Sequence, residues 1–422
     1  MNLTDTKKVY LKLFKLNDDL VLDLVIATVV ATKFKTDPIW LMIIGGPSSG
    51  KSELVNTVEE VKVKDKKFCY GISTLTENSF MSGMPARKDQ ETSLLHEIGD
   101  KGVIVMKDFT SILSMARDKR EAILGQMREI YDGKFEKRTG NGQNASWNGK
   151  INWLGAVTDA IYINDEESAS MGRRTISYEM PEQSAALRRS LTKSSRQMKH
   201  TKVEEREHIK KAFAEFIQAR IDDGINELPE LPEEFSDNLE ELSDFATLAR
   251  SPVARDFKGS IILVPSPEMP MRMNDQLHQL AQTVLYINDG ILKEHHYRLF
   301  YKVAFDSIPK QRRMVLHSLA EYEAVSAKGL AQHLNYPTET VKKWLQEANV
   351  LKLCDRKPDT ASHVDLYTIK KSFRKLMMKY DTIEYKDEML VDKNGGYATD
   401  FDDGDETELK EKQDNAMKAF GF

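Results

Sequence analysis

Apolar positions along this chain gather into short unbroken runs, each followed by a stretch with helical spacing. Residues 17–33, with an apolar run over 20–31 broken only by Asp23 and Thr28, predict a helix, which ends at Lys35-Thr36-Asp37-Pro38 because the residue before a proline is pushed out of helical backbone. Residues 40–44 are then apolar throughout, short enough to read as a strand buried on both faces. Residues 103–106 and 153–157 repeat that pattern, and helical periodicity follows at 53–61 and 119–130. Buried strands alternating with helices predict an α/β fold built on a parallel sheet. No internal repeat appears.

Beyond the third strand the pattern changes. Residues 185–220 read as a basic helix with ten Lys/Arg against four Glu, and 222–245 carry ten acidic side chains and no basic one. The second segment, interrupted by Pro229 and Pro232, predicts a solvated loop leading into a helix. Helical spacing resumes at 272–288 and runs on through 294–318. Residues 320–372 then form a compact helix–turn–helix pattern. Ser326 is placed to cap a helix over 327–334, Asn335-Tyr336-Pro337 to turn, and Thr338 to cap a second helix ending at Ala348. Leu330, Leu334, Val341, Leu345, Val350 and Leu353 share one side, which leaves Lys342, Lys343 and Gln346 outward. Residues 350–353 and 363–369 read as two strands joined by a loop that carries Arg356 and Lys357.

Composition narrows the class. With 422 residues, 40% hydrophobic and 30% charged, the chain is long enough for several domains and is neither collagen-like nor wholly disordered. Its longest apolar run, 20–31, carries Asp23 and is too short to span a bilayer, and no leader-like segment precedes it, so no membrane association is expected. Two distant cysteines, Cys69 and Cys354, suggest no disulfide framework and point to a cytoplasmic protein. The net charge of −5 hides an asymmetry: residues 381–422 hold 13 acidic and 5 basic side chains, leaving residues 1–380 at +3. A mildly basic body is compatible with nucleic acid, and the acidic end reads as a disordered tail.

The strongest chemical signal is Gly45-Gly46-Pro47-Ser48-Ser49-Gly50-Lys51-Ser52, which matches G-x-x-x-x-G-K-[ST] between a predicted strand and helix. Such a loop lets backbone N–H groups converge on phosphates. The helix that follows, here carrying Glu53, adds its positive end; Lys51 neutralises β/γ oxygens, and Ser52 can ligate Mg²⁺. The expected ligand is therefore ATP with Mg²⁺. The strand at 103–106 leads into Asp108, about 55 residues after the cradle, where a second carboxylate for Mg²⁺ is expected. Only one acid stands there, flanked by Lys107 and Phe109, and it fits either the metal ligand or the group that polarises water. Apart from Mg²⁺, the nine histidines and two cysteines show no ligand spacing; His295-His296 reads as a surface pair on a helix.

The segments DPIWLMIIGGPSSGKSEL, VIVMKDFTSIL, REIYDGKFEKRTG, GAVTDAIY, MGRRTISYEMPE and PEMPMRMNDQLHQLA occur in an order that resembles AAA+ P-loop ATPases of phages and mobile elements. They are more distantly similar to the minichromosome maintenance (MCM) helicase motor. The resemblance spans roughly residues 20–370 and rests most on the cradle. It implies that Thr158 is a polar sensor of the γ-phosphate or attacking water. Arg174, with Arg173 beside it, would be an arginine finger acting on a neighbouring subunit, and Arg272 the second sensor arginine of a lid. It further implies a hairpin over 134–147, with Gly140-Asn141-Gly142 near its tip, whose Lys137 and Arg138 grip a DNA backbone.

The organisation expected is an α/β AAA+ core over 1–183, a helical lid and linker over 184–310, a winged-helix domain over 311–380 and an acidic tail over 381–422. The second helix of the winged helix would enter a DNA groove through Lys342, Lys343 and Gln346, with Arg356 and Lys357 on the wing. The implied protein is an ATP-dependent motor on single- or double-stranded DNA: a helicase, loader or initiator, homo-oligomeric as a ring or spiral, with replication proteins as partners. The alternative is a nucleotide-switched oligomeric regulator or defence NTPase without translocation, favoured by the lone Asp108.

Overall fold

The computed structural model describes residues 1–14, 16, 18–82, 93–138, 144–162, 173–181, 188–189, 192–193, 196, 202–264, 266–358, 360 and 364–385, with backbone alone at 380–385. The chain divides into two compact units, residues 1–243, 270–293 and 302–307 in the first and 244–269, 294–301 and 308–422 in the second.

The first unit is an α/β structure around a five-stranded parallel sheet. Two helices, α1 (Leu3–Leu13) and α2 (Leu20–Val30), precede β1 (Trp40–Ile44) and the short α3 (Lys51–Asn56). Strands β2 (Cys69–Ile72) and β3 (Lys101–Met106) lead to α4 (Arg117–Tyr131). An antiparallel hairpin, β4 (Lys134–Arg138) with β5 (Asn144–Asn148), feeds β6 (Lys150–Val157), and β7 (Ile176–Glu179) follows. Helices α5 (Lys202–Ile221) and α6 (Met271–Ile287) complete the unit. The strand order is β2-β3-β6-β1-β7, every pair parallel.

All five residues of β1 are buried because both sheet faces are covered. Trp40, Met42 and Ile44 join a cluster with Trp153 of β6 and Ile123, Met127 and Ile130 of α4. Leu41 and Ile43 alternate to the other face. There α2 packs on β6, and all eleven of its residues are buried, Asp23 included. The buried Asp23 accepts from Lys7 Nζ at 3.0 Å. Burial lifts its carboxyl to about 6 against the opposing pull of Lys7.

Among the described residues the sequence pattern missed α1, β2 and β7, and also the short helices Leu94–Ile98 and Thr110–Leu113 and the strand pair Lys62–Val63 with Lys66–Lys67. Helix α1 is too polar to stand out, and the four-residue strands β2 and β7 are shorter than a periodicity window. The helix expected at 53–61 closes after Asn56, and the 3₁₀ turn Ala31–Lys33 takes over the end of the apolar run after α2.

In the second unit a small hairpin pairs β8 (Ala254–Arg255) with β9 (Ile261–Leu263). Helix α7 (Lys310–Glu321), β10 (Val325–Ser326), α8 (Ala327–Leu334), α9 (Thr338–Val350), β11 (Cys354–Pro358), β12 (Asp365–Ile369) and α10 (Lys371–Tyr385) follow. The three strands form an antiparallel sheet in the order β10-β12-β11. Ser326 caps α8 by accepting from Gly329 N at 3.1 Å, and Asn335 ends it in the left-handed region at φ 56°.

Several expectations change in this part of the chain. Thr338 is the first helical residue of α9, after Pro337, and makes no capping hydrogen bond. Val350 belongs to α9 and is exposed, so the first strand starts at Cys354; Arg356 and Lys357 therefore lie on β11 rather than in a loop. The helical run at 294–318 is broken at Pro309 into Glu294–Asp306 and α7, since proline offers no N–H to continue a helix. Helix α10 carries backbone order through residue 385; the rest of the acidic segment lies outside the described residues. His296 is buried and only His295 is exposed. Cys69 and Cys354 are both free and buried. Among the described residues no helix is long and apolar enough to cross a membrane.

Candidate functional site

Parallel strands place all their carboxyl ends on one edge, and loops there converge. Loop 45–50 leaves β1 at that edge, beside the end of β6, where Gly45 N donates to Val157 O at 3.2 Å. The loop needs two left-handed residues, Ser48 at φ 62° and Gly50 at φ 93°, so the second glycine of the motif is required by the backbone itself. At Gly45 a Cβ would meet Ser49 Oγ at 2.9 Å. Pro47 and Ser48 are exposed, while Gly46, Ser49 and Gly50 are partly covered.

Lys51 opens α3 and turns back into the loop. Its Nζ donates to Gly45 O and Gly46 O, both at 2.7 Å, and to Ser49 Oγ at 3.3 Å. Burial lowers its ammonium pKa, opposed by the fields of Asp159 and Asp108. Those two carboxylates follow the ends of β6 and β3, close enough for their fields to reach that ammonium. Asp108 is exposed and its Oδ1 accepts from Thr110 N at 3.0 Å. Thr158 is joined to Thr110: its Oγ1 is 3.2 Å from Thr110 Oγ1, and its N–H donates to the same oxygen at 3.2 Å. Ser52 is exposed at the mouth, its Oγ 3.4 Å from Lys107 O. The fold thus gathers Gly45–Ser52, Asp108 and Thr158 on one edge, and adds Asp159, one residue beyond the sensor position.

Two further acids surround the cradle. Lys107, which stands where a second carboxylate was sought, is held by Glu59 at 2.9 Å. A Cβ at Gly71 would meet Glu59 Oε1, so the bare glycine on β2 gives that carboxylate its room. Glu53 is paired with Arg206 of α5, whose Nε donates at 2.9 Å. Beside this pair lies a cavity of about 310 Å³ lined by Phe14, Glu53, Asn56, Arg206, Ile209 and Lys210. The Asn56 Oδ1 is buried there without a hydrogen-bond partner.

The donor set can be matched against a divalent cation. A hydroxyl at Ser52 and a carboxylate at Asp108 suit Mg²⁺, which keeps most of its waters and takes one or two protein oxygens plus phosphate. No group of three or more His, Cys, Asp or Glu side chains able to hold a metal by itself occurs among the described residues.

The predicted arginines lie elsewhere. Ile176 of β7 pairs with Leu41 of β1 in parallel, so Arg173 and Arg174 precede the strand on the edge where the strands begin. Arg174 pairs with Asp132 at 2.7 Å and its guanidinium sits 5.7 Å from the centre of the Tyr131 ring. Arg272, the second residue of α6, lies 5.9 Å from the same ring. Gln276 Nε2 ties the group together by donating to Tyr131 Oη at 2.5 Å and Arg174 O at 2.9 Å. Burial pushes the Tyr131 phenol up to about 12. Arg173 Nη1 donates to Ser307 O at 3.4 Å. Tyr131, Asp132 and Gln276 were not legible as site residues; only Arg272 and Gln276 at helical spacing i, i+4 hinted that one face of α6 was in use.

Of the expected DNA contacts in the first unit, Lys137 is turned inward: its Nζ donates to Asn78 Oδ1 at 2.6 Å and Met81 O at 3.0 Å. Arg138 is exposed, and the Gly140-Asn141-Gly142 tip lies outside the described residues. In the second unit Lys342 and Lys343 are exposed on α9 and Gln346 is partly covered. Arg356 is paired with Asp365 across β11 and β12 at 2.7 Å, and Lys357 is exposed. Compared with protein-family models and with curated proteins, the chain finds no match in either.

Proposed function

We propose that this chain is an Mg²⁺-dependent ATPase of the AAA+ type that works on DNA as an oligomer. The observation that carries the reading is the split of its charged groups between two edges of one sheet. Lys51, Ser52, Asp108 and Thr158 share the edge where the strands end, while Arg174 and Arg272 share one aromatic ring at the edge where they begin. A sheet several residues deep at about 3.3 Å per residue separates them, so these arginines serve the triphosphate of another copy. Both would then act in trans, Arg272 as well as Arg174.

In this reading Gly45–Gly50 and Lys51 bind the phosphates, and Ser52 with Asp108 would hold Mg²⁺, whose charge neutralises the oxygens of the bound triphosphate. Thr158 positions the attacking water or the terminal phosphate. The cavity beside Glu53 and Asn56, one helical turn from Ser52, takes the nucleoside. Helices α7, α8 and α9 with the sheet β10-β12-β11 are read as a winged helix, with Lys342 and Lys343 toward DNA.

Two inactive variants test the trans arrangement. Lys51→Ala should abolish ATP binding, and Arg174→Ala should keep binding while losing turnover by up to about 10³-fold. Mixed together, they should regain activity, because some seams join an intact cradle to an intact finger. Steady-state hydrolysis of the mixture reads this directly; no recovery at any ratio would rule out a finger in trans. Absence of Mg²⁺-dependent hydrolysis by the wild type, with and without DNA, would rule out the motor.

A second reading, a nucleotide-controlled switch without translocation, is favoured by one feature. The position beside Asp108 is a lysine neutralised by Glu59, which leaves a single carboxylate on that strand end. ATP-dependent oligomers indifferent to DNA would support the switch.

A further inference from the structure

The hairpin β8–β9 presents an aromatic side chain to solvent at a tip that is otherwise firmly built. Phe257 is 94% exposed. Around it, Asp256 Oδ1 accepts from Lys258 N at 2.9 Å and Ser260 N at 2.8 Å, and Asp256 N donates to Ser260 O at 2.9 Å. Arg255 then fastens the tip to α9: Nη1 donates to Gly259 O at 2.6 Å, Nη2 to Lys343 O at 2.7 Å and Nε to Glu347 Oε1 at 2.8 Å. Gly259 is left-handed at φ 82°, and a Cβ there would lie 2.8 Å from Lys343 Nζ, so the Lys343 ammonium rests on the tip. Lys258 Nζ sits 5.6 Å from the centre of the Phe257 ring.

Such bracing gains nothing for folding by exposing a phenyl ring. It does lower the ordering cost of presenting that ring to a ligand. The cations of the tip and of the adjoining helix are available: no acidic side chain of the described residues pairs with Lys258, Lys342 or Lys343, while Glu347 is already held by Arg255 and by Arg312 at 3.2 Å. An exposed ring with one ammonium over it and another on the same hairpin tip matches a base flanked by phosphates. The base must be unpaired, since one inside a duplex has both faces covered.

We propose that the β8–β9 tip and the adjoining face of α9 form a contact for single-stranded DNA, in which Phe257 stacks on one base while Lys258 and Lys343 meet the neighbouring phosphates. This rests on the DNA-directed reading above and assigns it a residue and a form of DNA. It also adds a neighbour to the face of α9 expected to enter a duplex groove, since the hairpin tip occupies the Lys343 side of that helix.

The test uses the full chain and fluorescence anisotropy with a labelled oligodeoxythymidine and a blunt duplex of the same length. Phe257→Leu keeps an apolar side chain but loses the ring, and should weaken oligodeoxythymidine binding about 5- to 100-fold. Phe257→Tyr should bind as the wild type does. An unchanged unfolding midpoint, expected for so exposed a position, excludes a trivial loss of fold. If the wild type binds neither probe, the DNA reading itself is overturned and this contact with it. If the wild type binds oligodeoxythymidine and Phe257→Leu binds it equally well, the contact alone is overturned. The contact also falls if Phe257→Leu lowers the oligomer mass by light scattering without changing DNA binding, because the exposed Phe257, Ile262 and Leu263 then serve a second copy.

Discussion

Lys7 and Asp23 tie α1 to the buried helix α2 by a contact whose strength depends on pH. Asp23 is 1% exposed and its carboxyl is lifted to about 6, above its ordinary range. A native carboxyl that holds its proton more tightly than the unfolded one contributes stability at low pH, which is lost as pH rises from about 4 to about 6. Lys7→Met removes the opposing cation and lifts Asp23 further. The variant should lose about 3 kcal/mol at pH 8 and clearly less at pH 5, where Asp23 can take up a proton. Thermal unfolding at the two pH values checks the sign; an equal loss at both would show that the pair is not the cause. The sequence marked Asp23 only as an interruption of an apolar run. Its partner, sixteen residues away, could not be read from local spacing. The same holds at Lys107, visible as an intruder beside Asp108, whose neutralising Glu59 lies on a different loop.

At the level of elements, glycine and asparagine positions make the sharpest tests. A Cβ at Gly149, between β5 and β6, would approach the Trp147 ring to 2.5 Å and Asp100 O to 2.6 Å. Gly149→Ala should therefore destabilise the hairpin junction by about 2–3 kcal/mol, seen as faster hydrogen exchange along β5 and the start of β6. In the second unit Asn335 ends α8 at φ 56°. Asn335→Ala should cost about 1 kcal/mol more than Asn335→Gly, because only the alanine pays for left-handed backbone. Protection of the α8 amides reads that difference. Strands β1, β3 and β6 were legible because continuous apolar runs have few alternatives. Strands β2 and β7 were not: Cys-Tyr-Gly-Ile and Ile-Ser-Tyr-Glu become strands only by pairing with β3 and β1. Thr338 and Val350 show the limit at helix ends, where a one-residue shift exchanges a cap for a first turn.

For the whole molecule, the decisive fact is which groups share an edge of the sheet. The mixing experiment with Lys51→Ala and Arg174→Ala belongs to this scale, because it asks whether a site is completed by a second chain. The sequence by itself determined the loop at 45–52 and its lysine, since glycines, lysine and serine at that spacing fix local backbone and charge. It determined the α/β class as well, since apolar runs too short for helices must be strands. Tertiary structure alone decided that the fields of Asp108 and Asp159 reach Lys51, that Thr158 meets Thr110, and that Arg174 and Arg272 meet over Tyr131 on the opposite edge. It also tied Lys137 to Asn78 and Met81 and set Gly259 of the hairpin tip against Lys343. The reason is range: a motif is fixed by neighbours a few bonds away, whereas an edge, an ion pair or a shared ring is fixed by strand order and register, which depend on residues far apart in the chain.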